Sequence, residues 1–407
     1  MRVLLTSRPL WSHLVPMVVP VARALQAAGH EVAVATGVTL GDELAHIGLR
    51  HLAMPRMLAP SQVRSDPDYA RRIGLSVDGM PLPELARMER GAKFGRLFAG
   101  VTAAWAAQDM AASGFQPDLV VRECSELGGY LLAEQLELPC VTLDIAPLVQ
   151  PRHPGMLPWL NDSRAALSLP PVEDTSALTE DMWVSWLPES WYPAELRSPS
   201  HRYYRTPDEP APPVDSTIAR LPADRPFVLA TLGSNTWVTP RAKLPLRQII
   251  EALGALTCTA VVALGREYDN PTDWAGPRPD NVHLVSFAPQ RFLLAACDLF
   301  LTHAGFNGVR EALTAGVPMV ALPMHAEQPA NAQRLFELGV GVAIRPEKAN
   351  ARTLAAACQQ VLDDPAYRRE ARSFQRRILG LPGIDALVAD LTTLTGTRRR
   401  EQQPTRR

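Results

Sequence analysis

Apolar positions along this chain follow two patterns. Short unbroken runs bounded by polar or turn residues predict buried strands, and stripes at three- and four-residue spacing between them predict helices. In the first half, Val3 to Thr6, Glu31 to Ala35, Asp118 to Val121 and Pro139 to Leu143 read as strands. A helix from His13 to about Ala28 follows the first strand, with Val15, Val18, Val19, Ala22 and Leu25 on one face and Gly29 capping its end. Another, from Leu127 to about Leu136, separates the last two strands. The alternation starts afresh at Phe227 to Ser234 and continues through Ala260 to Leu264, His283 to Ser286, Leu299 to Thr302 and Met319 to Leu322. Strands alternating with helices predict an α/β chain of two Rossmann-like domains, each a doubly wound parallel sheet.

Between them the pattern breaks. Residues 151 to 213 show no clear period, and Pro207, Pro210, Pro212 and Pro213 crowd around Asp208 and Glu209. Proline at that density makes a stiff linker rather than packed structure. The expected organisation is a first domain over 1–206, a linker over 207–222 and a second domain over 223–380. A helix over 381–396 is expected to return to the first domain, and 397–407 to form a basic, disordered tail.

Candidate chemistry is densest at Thr302-His303-Ala304-Gly305-Phe306-Asn307-Gly308. An apolar strand end passes there through a glycine-punctuated turn into a helix carrying Val309, Ala312 and Leu313. Unpaired backbone N–H groups and the positive end of a helix dipole suit an anion. His303 adds a donor, while Glu311 and the Glu327-Gln328 pair suit hydroxyl groups. Phosphate together with hydroxyls points to a nucleotide sugar.

With Ser286-Phe287-Ala288-Pro289-Gln290 upstream, this block resembles the donor signature of family 1 glycosyltransferases of the GT-B fold, which include plant UDP-sugar transferases and bacterial macrolide and antibiotic glycosyltransferases. The resemblance extends from residue 1 to about 380. It implies a cleft between two facing domains, with the acceptor held by the first and the nucleotide sugar by the second. It also implies that Phe287 covers the nucleobase and that Gln290 reaches the ribose. Ser234, Ala288, His303, Gly305, Phe306, Asn307, Gly308, Glu311, Glu327 and Gln328 complete the expected donor set.

His13 follows the first strand and the loop Ser7-Arg8-Pro9-Leu10-Trp11-Ser12, at the sheet edge where such folds hold ligands. An ordinary imidazole titrates at about 6.5, so a histidine can accept a proton near neutrality. The resemblance makes His13 the general base on the acceptor hydroxyl, although Ser12 stands where glycine is usual. A carboxylate steadies such a base, and Glu123, ending a strand at the same edge, fits that role. Asp118 belongs at the opposite edge.

Composition narrows the picture. With 407 residues, 46% of them hydrophobic, the chain can bury two cores. A net charge of −1 offers nothing to nucleic acid or an anionic membrane. The scattered Cys124, Cys140, Cys258, Cys297 and Cys358 are expected reduced, without zinc-ligand spacing. No signal peptide or membrane span is expected, which suits a cytoplasmic monomer or homodimer. Asp66-Pro67-Asp68 follows no strand, so no metal is expected, and no cofactor beyond a UDP- or dTDP-sugar co-substrate. Trp11, Trp159, Trp183 and Trp186 are candidates to line a site for a small, hydrophobic acceptor such as a polyketide, macrolide or flavonoid-like aglycone.

The sequence reads best as an inverting, metal-independent glycosyltransferase. A sugar-nucleotide epimerase on the same fold and a catalytically silent nucleotide-binding auxiliary protein are the alternatives. A dinucleotide-dependent oxidoreductase is disfavoured, since no Gly-x-Gly-x-x-Gly follows either opening strand.

Overall fold

Short apolar runs bury both faces of a strand, and the chain builds two all-parallel sheets around such runs at their centres. The computed structural model describes residues 1–75, 82–146, 153–175, 178, 181–207, 216–233, 243–265 and 270–402. Two compact units emerge, one of 1–207 with 382–407, the other of 208–381.

The sheet of the first unit comprises β1 (Arg2–Thr6), β2 (Glu31–Thr36), β3 (Arg50–Ala53), β4 (Leu119–Glu123), β5 (Cys140–Leu143), β6 (Met182–Ser185) and β7 (His201–Tyr203). Their order is β3-β2-β1-β4-β5-β6-β7. Val3, Leu5, Val34, Val120 and Val121 are fully buried at its centre. Helix α1 (Val19–Ala27) lies between β1 and β2 in the chain, while α2 (Val101–Ala112) and α3 (Gly128–Gln135) join one core through Ala103, Ala106, Ala107, Leu131 and Leu132.

The stretch 151–213 is not a featureless break, because it contains β6 and β7. Both are short: β6 offers only the three apolar residues Met182 to Val184, and β7, His-Arg-Tyr, offers no apolar run. The expected helix from His13 is also interrupted. A turn at Trp11–His13 opens into a wide π segment, Leu14–Val18, before α1 begins. Pro16 and Pro20 have no N–H to close the regular ladder.

The second unit holds β8 (Phe227–Thr231), β9 (Thr259–Ala263), β10 (Val282–Val285), β11 (Leu299–Thr302), β12 (Met319–Ala321) and β13 (Gly341–Ala343). Their order is β10-β9-β8-β11-β12-β13. Helices α4 (Lys243–Gly254), α5 (Gln290–Leu294), α6 (Phe306–Ala315), α7 (Gln328–Glu337) and α8 (Ala351–Asp363) accompany them. Ile249, Ile250 and Leu253 from α4 share a core with Leu354 and Cys358 from α8. Within the expected linker, Ser216–Ala219 forms a helical turn that buries Ile218, while 208–215 lie outside the described residues.

The last helix, α9 (Ile384–Gln402), belongs to the first unit. Leu387 and Leu391 are fully buried, Tyr204 Oη donates to Asp390 Oδ2 at 2.5 Å, and Thr395 Oγ1 donates to Met1 Sδ at 3.5 Å. The expected tail from 397 is helical as far as Gln402, since arginine, glutamate and glutamine propagate a helix and the first breaker is Pro404. Residues 403–407 lie outside the described residues. No single helix among the described residues is long and apolar enough to cross a membrane.

Candidate functional site

Each sheet changes winding direction once, beside its opening strand. In the first unit the switch lies between β1 and β4, and in the second between β8 and β11. Loops leaving the carboxyl ends of two such strands diverge and open a crevice, where doubly wound sheets bind ligands. The loop after β1 carries His13 and β4 ends at Glu123; Gly233 follows β8 and His303 follows β11.

The first pair is in contact. His13 Nδ1 lies 3.4 Å from Glu123 Oε1, with the imidazole one-quarter exposed and the carboxylate wholly enclosed. Ser125 donates to that carboxylate through its N–H (2.7 Å to Oε2) and its hydroxyl (2.7 Å to Oε1, 2.8 Å to Oε2). Arg8 N–H adds a longer contact to Oε1 at 3.3 Å. Burial alone would raise the Glu123 carboxyl, but the charge and hydrogen bond of His13 and those of Ser125 outweigh it and hold it at about 2. Glu123 is therefore an anion at neutral pH, and its neighbour Nδ1 is the natural site for the ring proton. That leaves Nε2 able to accept one. Asp118, at the other edge, accepts from Arg2 N–H at 2.7 Å.

In the second unit the turn after β11 is fixed from two sides. Thr302 Oγ1 accepts from Ala304 N–H at 3.2 Å, and Asn331 Nδ2 donates to Ala304 C=O at 2.9 Å. Ala304 itself sits at φ +62°, a left-handed conformation that costs energy for any residue with a Cβ. The strain directs the chain into Gly305, which caps α6. His303 lies against two glycines, and a Cβ on Gly233 would come within 2.6 Å of its Cε1. Burial, with His325 nearby, pushes the imidazole down to about 4, against a smaller opposing hydrogen bond to the Thr231 backbone. The ring is thus neutral at physiological pH.

Other expected donor residues fall around this turn. Gln290, first residue of α5, donates through Nε2 to Glu311 Oε2 at 2.7 Å, so the two form one polar pair. Phe287 is 56% exposed, a ring face open to a flat ligand, whereas Ala288 is buried beside it. The Phe306 side chain is buried, and its N–H reaches Glu327 Oε1 only loosely, at 3.4 Å. Asn307 and Gly308 follow in the first turn of α6. Gln328 departs from expectation: its Oε1 accepts from the N–H groups of Met324 and His325 at 2.9 and 3.1 Å. At 4% exposure it secures the turn before α7 instead of presenting its carbonyl to a sugar. Ser234 lies outside the described residues.

The expected acceptor aromatics divide. Trp11 and Trp159 are half-buried, and Arg96 lies over the Trp159 ring at 5.4 Å. Trp183 and Trp186 are 6% and 1% exposed, inside the protein with Trp191 and Tyr192, so these two are core side chains. Among the described residues no group of three or more His, Cys, Asp or Glu side chains is placed to hold a metal ion.

Comparison with known proteins identifies the family. Over 376 residues the chain is 30% identical to L-demethylnoviosyl transferase of Streptomyces niveus, covering 91% of this chain and 92% of that protein. It belongs to the family 1 glycosyltransferases of the GT-B fold. This glycosyltransferase is also 29% identical to tylactone mycaminosyltransferase of Streptomyces fradiae, over 98% of its own length and 93% of the relative's. Residues 247–394 match the family described as erythromycin biosynthesis protein CIII-like, C-terminal domain. The glycosyltransferase SnogD from Streptomyces nogalater superposes with a TM-score of 0.70 at 27% identity, covering 97% of this chain and 99% of that one.

Sequence reasoning missed two residues of this glycosyltransferase, Ser125 and Asn331. Neither carries a motif. The only available signal was position, since each lies a few residues from a residue already singled out.

Proposed function

We propose that this glycosyltransferase moves a sugar from a UDP- or dTDP-sugar to a hydroxyl group of a small hydrophobic natural product, inverting the anomeric centre without a metal ion. The observation that carries this reading is His13 Nδ1 set 3.4 Å from a fully buried, ionised Glu123 at the switch point of the first sheet. The natural-product class is supported by the match to tylactone mycaminosyltransferase along nearly the whole chain and by the erythromycin biosynthesis protein CIII-like match over residues 247–394.

In the proposed reaction His13 Nε2 takes the proton from the acceptor hydroxyl as that oxygen bonds to the anomeric carbon. The bond from that carbon to the diphosphate oxygen breaks on the opposite face. Glu123 stabilises the imidazolium that forms, through Nδ1–H. Charge growing on the diphosphate is met by backbone N–H groups at the start of α6, fixed donors that need no reorganisation, with the neutral His303 ring beside them. Gln290 with Glu311 suits the ribose, Phe287 the nucleobase face and Glu327 a sugar hydroxyl.

The test is a mass-spectrometric screen of nucleotide sugars against an aglycone panel, with no-acceptor and EDTA arms. Transfer is expected only with acceptor present, unaffected by EDTA, with product of inverted anomeric configuration by NMR. His13→Ala is expected to abolish transfer while calorimetric binding of UDP or dTDP persists; undiminished transfer would refute the base assignment.

A further inference from the structure

The carboxylate that steadies His13 sits on a glutamate, whose three side-chain torsions give its oxygens several places to go. Something must choose the one that presents Oε1 to Nδ1. Within the turn that follows β4, a single side chain touches that carboxylate. Ser125 Oγ lies 2.7 Å from Oε1 and 2.8 Å from Oε2, and the Ser125 N–H lies 2.7 Å from Oε2. At 6% exposure Ser125 is withdrawn from solvent, so any effect it has on a bound acceptor is exerted through Glu123.

The turn does not depend on that hydroxyl for its shape. Arg122, fully buried, donates from Nη1 to the carbonyls of Cys124 at 3.1 Å and Glu126 at 3.2 Å. Glu126 N–H donates to Glu123 C=O at 3.0 Å. On the far side the Glu126 carboxylate accepts from Gly128 N–H at 2.7 Å, Gly129 N–H at 2.9 Å and Thr6 Oγ1 at 2.5 Å. The backbone around Ser125 is therefore held by a guanidinium on one side and by the first turn of α3 on the other. Removing Oγ takes the short 2.7 Å donor away from Glu123 Oε1 and leaves that oxygen the longer Arg8 N–H contact, while the Ser125 N–H still holds Oε2 and the loop keeps its shape.

We propose that Ser125 is a positioning residue for the transfer reaction: its hydroxyl clamps Glu123 in the conformer that faces His13. The proposal rests on the reading of His13 as the base. A fixed carboxylate keeps the imidazole proton on Nδ1 and the ring oriented, and a base displaced by a fraction of an ångström loses rate rather than affinity.

The test uses the full chain with a donor and acceptor pair that the wild-type protein turns over. Ser125→Ala is expected to lower kcat about tenfold, the loss of one hydrogen bond to a charged group. KM for both substrates and the thermal midpoint should stay near wild-type values. Ser125→Thr, which keeps an Oγ at the same position, should restore most of kcat. In a Glu123→Gln background the same Ser125→Ala change should add nothing, since the group it acts through is already lost.

An additive loss in that background, a loss expressed in KM, or no rescue by threonine would each overturn the assignment. His13→Ala, run in parallel, separates the two readings. If it leaves transfer intact, the base reading fails and the Ser125 assignment falls with it. If His13→Ala and Glu123→Gln are both crippled while Ser125→Ala matches wild type, only the assignment to Ser125 fails.

Discussion

His303 gives the second unit a pH dependence that follows from its surroundings. Burial holds the imidazole at about 4 against an ordinary value of 6.5. Above pH 6.5 neither folded nor unfolded chain carries the proton, and the full stability is present. As pH falls from 6.5 toward 4 the unfolded chain takes up a proton that the folded one refuses, so stability is lost; below 4 the loss levels off. The gap is worth about 3 kcal/mol at saturation, with about 1.4 kcal/mol lost by pH 5.5 and about 2.5 kcal/mol by pH 4.5. The ring keeps some solvent contact, so these are upper figures. Asp144 in the first unit works in the opposite sense. Burial, only partly offset by hydrogen bonds from Tyr192, Trp183 and the Ala146 backbone, raises it to about 7, and its contribution fades as pH rises from 3.8 toward that value. Comparing wild type with His303→Gln cancels Asp144, which both proteins share. Guanidinium unfolding at pH 7.5, 6.5, 5.5 and 4.5 should show the variant gaining on wild type by these amounts as pH falls. Histidine Cε1 NMR should show the His303 signal unmoved above pH 5. Parallel stability curves, or an imidazole titrating near 6.5, would refute a ring held neutral by burial.

Two further changes probe the site from other directions. Gly305 sits at φ −63°, which accepts a side chain, yet a Cβ there would run into His303 Nε2. Gly305→Ala should therefore weaken calorimetric binding of UDP or dTDP about tenfold or more while the fold persists, and unchanged affinity would remove His303 from the phosphate contact. Trp186→Ala should cost about 3–5 kcal/mol of stability as a large core deletion, while Trp186→Phe keeps wild-type acceptor KM. A rise in that KM without loss of stability would return the residue to the acceptor site.

The legible parts of the fold were those where burial on both faces leaves an aliphatic run, as in β1, β4 and β11. Polar or very short strands were not: β3 is a half-exposed Arg-His-Leu-Ala, and β13 has three residues. They are strands because a neighbouring edge supplies hydrogen bonds, which their own sequences do not announce. At the site, His13 and Glu123 were placed by the family resemblance together with their positions at the carboxyl ends of strands, which the order of elements along the sequence reveals. Ser125 and Gln328 depend on rotamers, which it does not reveal. A carboxamide beside Glu327 looks the same in sequence whether it turns outward or spends its carbonyl on Met324 and His325.

The return of α9 to the first unit means that residues 1–207 do not encode a complete folding unit. Ribosomal synthesis delivers Leu387 and Leu391 only after the whole second unit, so the hydrophobic seat they fill stays open until then. The second unit, an uninterrupted stretch of sequence, has no such wait. Hybrids that trade the first unit among relatives should accordingly take residues 1–207 and the α9 segment from one parent. A splice at the proline-rich crossing alone would pair a foreign helix with the Tyr204 and Met1 contacts it must make.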